Sequence, residues 1–336
     1  MNGGKTTYPG GAGLIVTLTL NPSLDRTIEI ARLTRGSMTR ATATRLDPGG
    51  KGVNVSRALA AHGVRTLAVV PCGGPEGEQL TELLKLEGID VGAVPVAGHT
   101  RSNVSLVEPD GTVTKVNEPG GSLRAADLER VDEAVLSAAA GADWVVASGS
   151  LPPGVPDTFY GRLGRQLTEL GVRFAVDTSG PALAAALAAG PALVKPNRDE
   201  LAETVGFRID TVADAIRAAE AMRVAGAEAV LASLGADGAV LVGAQGARWG
   251  ESPVDRGRSA VGAGDAMLAG YLAAGTTGGD ALVEALSWGA AAVRFPGSRM
   301  PGPSDVDRAS VRVHPTPDLS RPLSGPHHAH GMEQIR

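Results

Sequence analysis

Apolar residues along this chain fall into short runs separated by longer, helically patterned stretches. The run at 14–20, Leu-Ile-Val-Thr-Leu-Thr-Leu, is apolar on both parities and rich in β-branched side chains, and it stops at Asn21-Pro22. That pattern predicts a strand buried on both faces. Similar runs recur at 66–70, 144–147, 173–176, 192–194 and 229–232, each ending in Gly, Pro, Ser, Asp or Asn. Between and after them, apolar residues spaced by three and four predict helices over 53–62, 78–87, 125–139, 157–170, 181–189, 199–205, 212–225, 263–274 and 280–295. Strand and helix alternating over most of the chain imply an α/β fold with a mainly parallel sheet.

Two stretches break the alternation. Residues 27–45 and 101–117 carry Thr and Val at period two, and the second contains a Pro-Asp-Gly turn, so both read as half-exposed antiparallel strands. They are expected to form a flap over the carboxyl edge of the sheet, where ligands of open α/β folds bind; ordinary edge strands are the alternative. After Pro296 the chain becomes Pro-rich and irregular. Residues 1–13 and 304–336, the latter with His327, His328 and His330, are expected to be flexible or loosely packed. No repeat or linker divides the chain, so one domain over 14–303 is expected.

Composition narrows the class. In 336 residues there are 46 Gly and 22 Pro but only 3 Trp, 3 Tyr and 4 Phe, so the core must be built chiefly from Ala, Val and Leu. With 31 Lys and Arg against 36 Asp and Glu, the net charge is −5, which offers no general basic surface for nucleic acid. The single Cys72 excludes an internal disulfide and a Cys-based zinc cage. There is no apolar signal-like segment near the start and no run of 18 apolar residues. A cytoplasmic protein without membrane or nucleic-acid partners is expected.

The glycine clusters carry the candidate chemistry. Val261-Gly262-Ala263-Gly264-Asp265 opens an apolar helix, so backbone amides and the helix dipole there favour an anion. Asp265 beside those amides suits a base that deprotonates an alcohol as a phosphoryl group arrives, although an acid in a first helical turn is also an ordinary stabiliser. No GxxxxGK[ST] loop occurs, and Met267 stands where a dinucleotide fingerprint needs its third glycine. A second cluster, Pro48-Gly49-Gly50-Lys51-Gly52-Val53-Asn54, offers amides, a cation and a side-chain amide to a hydroxylated or phosphorylated ligand. Lys195-Pro196-Asn197-Arg198-Asp199-Glu200 follows a strand and reads either as a site element or as a capping box from Asn197 to Glu200.

Taken in order, seven motifs resemble the PfkB/ribokinase family of carbohydrate kinases. They are Asn21-Pro-Ser-Leu-Asp25, Gly49 to Asn54, Thr100-Arg101-x-Asn103, Gly149-Ser-Leu-Pro-Pro-Gly154, Lys195-Pro-Asn197-x-x-Glu200, Ser233-Leu-Gly-Ala-Asp-Gly238 and Val261 to Asp265. The first and fourth are similar to the phosphofructokinase and tagatose-phosphate kinase branch. The segments 114–120 and 296–303 are most similar to bacterial 1-phosphofructokinases. The resemblance implies a three-layer α/β/α ribokinase-like sandwich with a mainly parallel central sheet and a small β lid.

It also implies roles. Asp265 would be the catalytic base, and Gly262, Ala263 and Gly264 the anion hole. Asp25, Gly49, Gly50, Lys51 and Asn54 would hold the sugar, with Arg101 and Asn103 on its existing phosphate. Lys195, Asn197, Glu200, Ser233, Gly235, Gly238 and Gly264 would line the site for ATP, with Mg2+ held through water by Glu200. The implied reaction is ATP-dependent phosphorylation of the 6-hydroxyl of fructose 1-phosphate. Fructose 6-phosphate and tagatose 6-phosphate are the alternative substrates, and a non-catalytic sugar-phosphate sensor is the alternative of another class. Ser259 stands where ribokinases carry Asp, so a monovalent-cation site is not implied. The lid strands, with Val and Ile at period two, could pair between subunits as a homodimer.

Overall fold

The computed structural model describes residues 13–254, 257 and 259–324. His327, His328 and His330 lie outside these residues. In chain order the elements are β1 (Leu14–Leu18), β2 (Ser23–Ile30), β3 (Ala41–Gly49), α1 (Lys51–Ala61), β4 (Thr66–Cys72), α2 (Gly74–Leu86), β5 (Asp90–Pro95), β6 (Arg101–Val107), β7 (Val113–Asn117) and α3 (Ala125–Ala139). They continue as β8 (Ala142–Ser148), α4 (Phe159–Glu169), β9 (Arg173–Asp177), α5 (Gly180–Leu187), β10 (Leu193–Val194), α6 (Arg198–Val205), α7 (Val212–Val224), β11 (Val230–Ser233), β12 (Ala239–Gly243), β13 (Gly246–Glu251), α8 (Ala263–Ala273), α9 (Gly279–Val293) and β14 (Arg312–His314).

The main sheet has ten strands in the order β14-β13-β12-β11-β10-β9-β8-β1-β4-β5. Every pairing from β11 to β5 is parallel, and β12, β13 and β14 add an antiparallel edge. Period-two side chains explain why the central runs are apolar on both parities. Val16, Leu18, Val145 and Ala147 face one core with α3, α4, α5 and α7. Ile15, Trp144 and Val146 face a second core with α1, α8 and α9. The result is a three-layer α/β/α sandwich.

The segments expected as a flap form a separate four-stranded sheet, β3-β2-β6-β7, and no strand of it pairs with the main sheet. β2 and β6 run parallel, with Asp25 opposite Asn103, while β3 and β7 flank them antiparallel. One face of this lid lines a cleft of about 430 Å3, walled on the other side by Ser259, Ala260, Val261 and Pro296 to Ser298.

Residues 304–324 depart from the expected loose packing. β14 pairs with β13, Arg321 lies over the Trp249 ring at 4.4 Å, and Asp237 accepts from both the amide (2.7 Å) and the hydroxyl (2.8 Å) of Ser324. The segment is irregular because its partners are tertiary, not because it lacks them. No helix among the described residues is long and apolar enough to cross a membrane.

Aromatic side chains are few, so each buried one carries weight. Trp288 on α9 is fully buried, stacks on His62 with centroids 3.5 Å apart, and donates to Glu284 at 3.0 Å. Trp288→Ala is therefore expected to cost about 3–5 kcal/mol and to lower the melting temperature by on the order of 10 °C, as measured by calorimetry.

Candidate active site

The helix α8 starts at the carboxyl end of the sheet because Gly262 turns the chain into it. Gly262 takes φ of 77°, in the left-handed region that other residues avoid. The amides of Gly264 and Asp265 in the first turn have no acceptor within the helix, whereas Ala263 N–H is taken up by Ala260 O at 3.3 Å. Asp265 is buried and accepts a hydrogen bond from Asn54 Nδ2 of α1 at 2.9 Å. Burial, and then the charge of Asp177, push its pKa up to about 6, against the opposing pull of Lys51, Lys195 and Asn54. A carboxylate in that position is close to the proton affinity a general base needs near neutrality.

Asp177, at the end of β9, stands in the sequence only as a residue that ends a strand. In the fold it is the hub of the charged centre. Lys51 Nζ donates to its Oδ1 at 2.8 Å, and Lys195 Nζ pairs with its Oδ2 at 3.1 Å. Burial works against the Asp177 carboxylate, but Lys195 and Lys51 outweigh it and hold its pKa below the ordinary value. For Lys51, burial is likewise outweighed, here by Asp177 and Glu200, and its pKa is raised. A carboxylate at the carboxyl end of a central parallel strand was the available sequence signal.

Two expected groups are thereby brought together differently from their sequence grouping. Lys51, placed with the sugar ligands by resemblance, reaches Asp177 and also Glu200 at 3.3 Å. Lys195 lies over Gly264, where a Cβ would meet its Nζ at 3.1 Å. Lys195 therefore borders the anion-attracting start of α8, and the charge of Lys51 also acts on Asp265 there. Asn197 and Glu200 form the capping box of α6, with Glu200 N–H on Asn197 Oδ1 at 2.8 Å and Asn197 N–H on Glu200 Oε2 at 2.9 Å. Asn197 also bridges to Ser233, so the Ser233 to Gly238 loop adjoins the same edge.

The lid root forms a second group. Asp25 Oδ1 accepts from Ser23 Oγ at 2.7 Å and from Asn103 Nδ2 at 2.9 Å. Gly49 passes so close that a Cβ there would collide with the Asp25 carboxylate. Gly50 is the N-cap of α1. Arg101 stands apart from the 430 Å3 cleft: it donates to Glu118 O at 3.0 Å and Asn21 O at 3.1 Å and lines a smaller cavity of about 20 Å3. Asn54 Oδ1 and Asn103 Oδ1 are buried acceptors with no hydrogen-bond partner among the described residues, and a ligand hydroxyl would satisfy each.

Removing one member of a buried ion pair strands the other. Asp177→Asn leaves buried Lys195 without its carboxylate, so a loss of about 3 kcal/mol of stability is expected, read from urea unfolding. Unchanged stability would remove Asp177 from the centre of this account.

The pfkB family carbohydrate kinase model matches residues 18–295. The chain is 38% identical over 270 residues to a Rhodobacter capsulatus 1-phosphofructokinase, covering 79% of this chain and 85% of that one. It is also 38% identical over 257 residues to the ATP-dependent 6-phosphofructokinase isozyme 2 of Escherichia coli, covering 76% and 83%. Among solved structures, Escherichia coli phosphofructokinase-2 in complex with substrates and products superposes with a TM-score of 0.82 at 35% identity, over 87% of this chain and 96% of that one. With the α8 start, the buried Asp265 carboxylate and the smaller sheet in place, the chain belongs to the PfkB family of carbohydrate kinases.

Proposed function

We propose that the protein transfers the γ-phosphoryl group of ATP to the 6-hydroxyl of fructose 1-phosphate, giving fructose 1,6-bisphosphate and ADP. The observation that carries this reading is Asp265: a buried carboxylate with pKa pushed up to about 6, at an anion-attracting helix start, within the field of two ammonium groups paired to one Asp. The chain's 38% identity to a 1-phosphofructokinase supports the choice of acceptor. Its equal identity to a 6-phosphofructokinase supports fructose 6-phosphate as the second reading.

In the proposed reaction Asp265 takes the proton of the acceptor hydroxyl. The oxygen attacks the γ-phosphorus in line as the bond to the ADP oxygen breaks. First-turn amides at Gly264 and Asp265, with Lys51 and Lys195, face the charge that develops on the transferred group. Asn54, Asp25 and Asn103 orient the sugar hydroxyls, while Arg101 exchanges its carbonyl contacts for the sugar's phosphate. Asn197 and the Ser233, Gly235 and Gly238 loop take the nucleotide.

Among the described residues no group of three His, Cys, Asp or Glu side chains could cage a metal ion. Magnesium is commonly held through one or two carboxylates, water and substrate phosphates, and Glu200, fixed by its capping box, fits that mode. Bound there, Mg2+ would neutralise phosphate charge. Escherichia coli phosphofructokinase-2 has been solved in a tetrameric inhibited form, and exposed Val113 and Val116 on the lid support association of copies through that sheet.

A coupled assay of ADP release with fructose 1-phosphate, fructose 6-phosphate and tagatose 6-phosphate tests the reading. The highest kcat/KM is expected for fructose 1-phosphate, and no turnover on any of the three would sink the kinase assignment. Asp265→Asn is expected to lower kcat by at least about 100-fold while ATP binding persists. Because the base must be ionised, kcat/KM should be flat above neutrality and fall as pH drops through about 6. A limb near the ordinary carboxylate range would contradict the assignment.

A further inference from the structure

The segment 296–303 contributes to the family resemblance, yet the proposed phosphoryl transfer gives it no role. In the fold, Pro296, Gly297 and Ser298 form the wall of the 430 Å3 cleft that faces the lid. Two arginines join this wall to the lid. Arg57 on α1 is buried, and its Nε and Nη2 donate to the two carboxylate oxygens of Glu87 at 2.7 and 2.8 Å. Its Nη1 donates to Ser298 O at 3.0 Å and to Pro48 O at 3.3 Å. One side chain thus ties the cleft wall to the foot of the lid strand β3, next to Gly49.

The second tie runs higher on the same strand. Arg45 Nε pairs with Asp47 at 2.7 Å, and its Nη2 donates to Pro296 O at 3.2 Å. Asp47 also lies 3.9 Å from Arg57, so the two arginines share a carboxylate. Gly297 has φ of 63°, and a Cβ there would collide with Arg45 Nη2. Only glycine lets the guanidinium reach the wall.

We propose that Arg45 and Arg57 are positioning residues that set the separation between the lid and the 296–298 wall, and so the fit of the sugar phosphate. This rests on the kinase reading above. A planar guanidinium can hold two acceptors in fixed directions at once, which a lysine ammonium does not reproduce. Asp25 pairs in register with Asp47, and Thr27 with Arg45, so any shift of β3 moves the sugar side of the site. Asn197 caps α6 and Ser233 ends β11, away from the lid strands, and the nucleotide side should be spared.

Steady-state kinetics and sugar-phosphate thermal shifts on wild type, Arg45→Ala, Arg45→Lys, Gly297→Ala and Arg57→Lys test this. The sugar-phosphate KM is expected to rise about tenfold, the scale of one lost charge-assisted hydrogen bond, with the ATP KM and kcat nearly unchanged. Arg45→Lys should recover only a fraction of the loss. An unchanged sugar KM, or sugar and ATP KM rising by the same factor, overturns the proposal. If Arg57→Lys fails to fold, the Arg45 and Gly297 variants decide. Should wild type bind a sugar phosphate without turnover, the kinase reading fails alone, and the positioning claim is judged on whether Arg45→Ala loses the ligand-induced thermal shift. No shift with any sugar phosphate in wild type overturns both.

Discussion

Lys51 and Lys195 place two ammonium groups on opposite oxygens of one buried carboxylate, Lys51 donating to Asp177 Oδ1 at 2.8 Å and Lys195 forming an ion pair with Oδ2 at 3.1 Å. Their positions follow from that constraint. Lys195 is brought over the start of α8, and Lys51 is drawn from the glycine-rich turn toward Glu200. Asp265 then sits where burial and Asp177 raise its proton affinity while the two lysines hold the rise to a usable value. A carboxylate with no cations nearby would be pushed further toward the neutral acid by burial alone. With unopposed cations it would be a weaker base.

The fold delivers these groups by simple means. Asp177, Lys195 and Ser233 stand at or just beyond the ends of three adjacent parallel strands, β9, β10 and β11. The helices α1 and α8 pack in the same apolar layer, and this brings Asn54 against Asp265 across a sequence separation of 211 residues. The lid is built from β2 and β3 before α1 and from β6 and β7 after α2, so its two halves come from separate stretches of chain.

Much of this was legible in the sequence, for identifiable reasons. Strands buried on both faces announced themselves by apolar runs on both parities, and the lid by Thr and Val at period two. Asp265, Asn54 and Glu200 stood inside glycine or capping motifs whose chemistry is local. Asp177 was hidden because its partners are 126 and 18 residues away, and nothing beside it marks a site. Arg101 illustrates the converse: its motif was visible, but not that Asn21 and Glu118 carbonyls would occupy its guanidinium. Residues 312–324 looked structureless because their order comes from Trp249, Asp237 and the β13 edge, which no short window contains.

Burial and the charged centre around Asp177 together set the proton affinity of Asp265. Titration of its side-chain carboxyl by 13C NMR of aspartate-labelled protein, assigned by difference against Asp265→Asn, measures that quantity without turnover. The account predicts a midpoint near pH 6. A midpoint near 4, that of an ordinary aspartate, would contradict it.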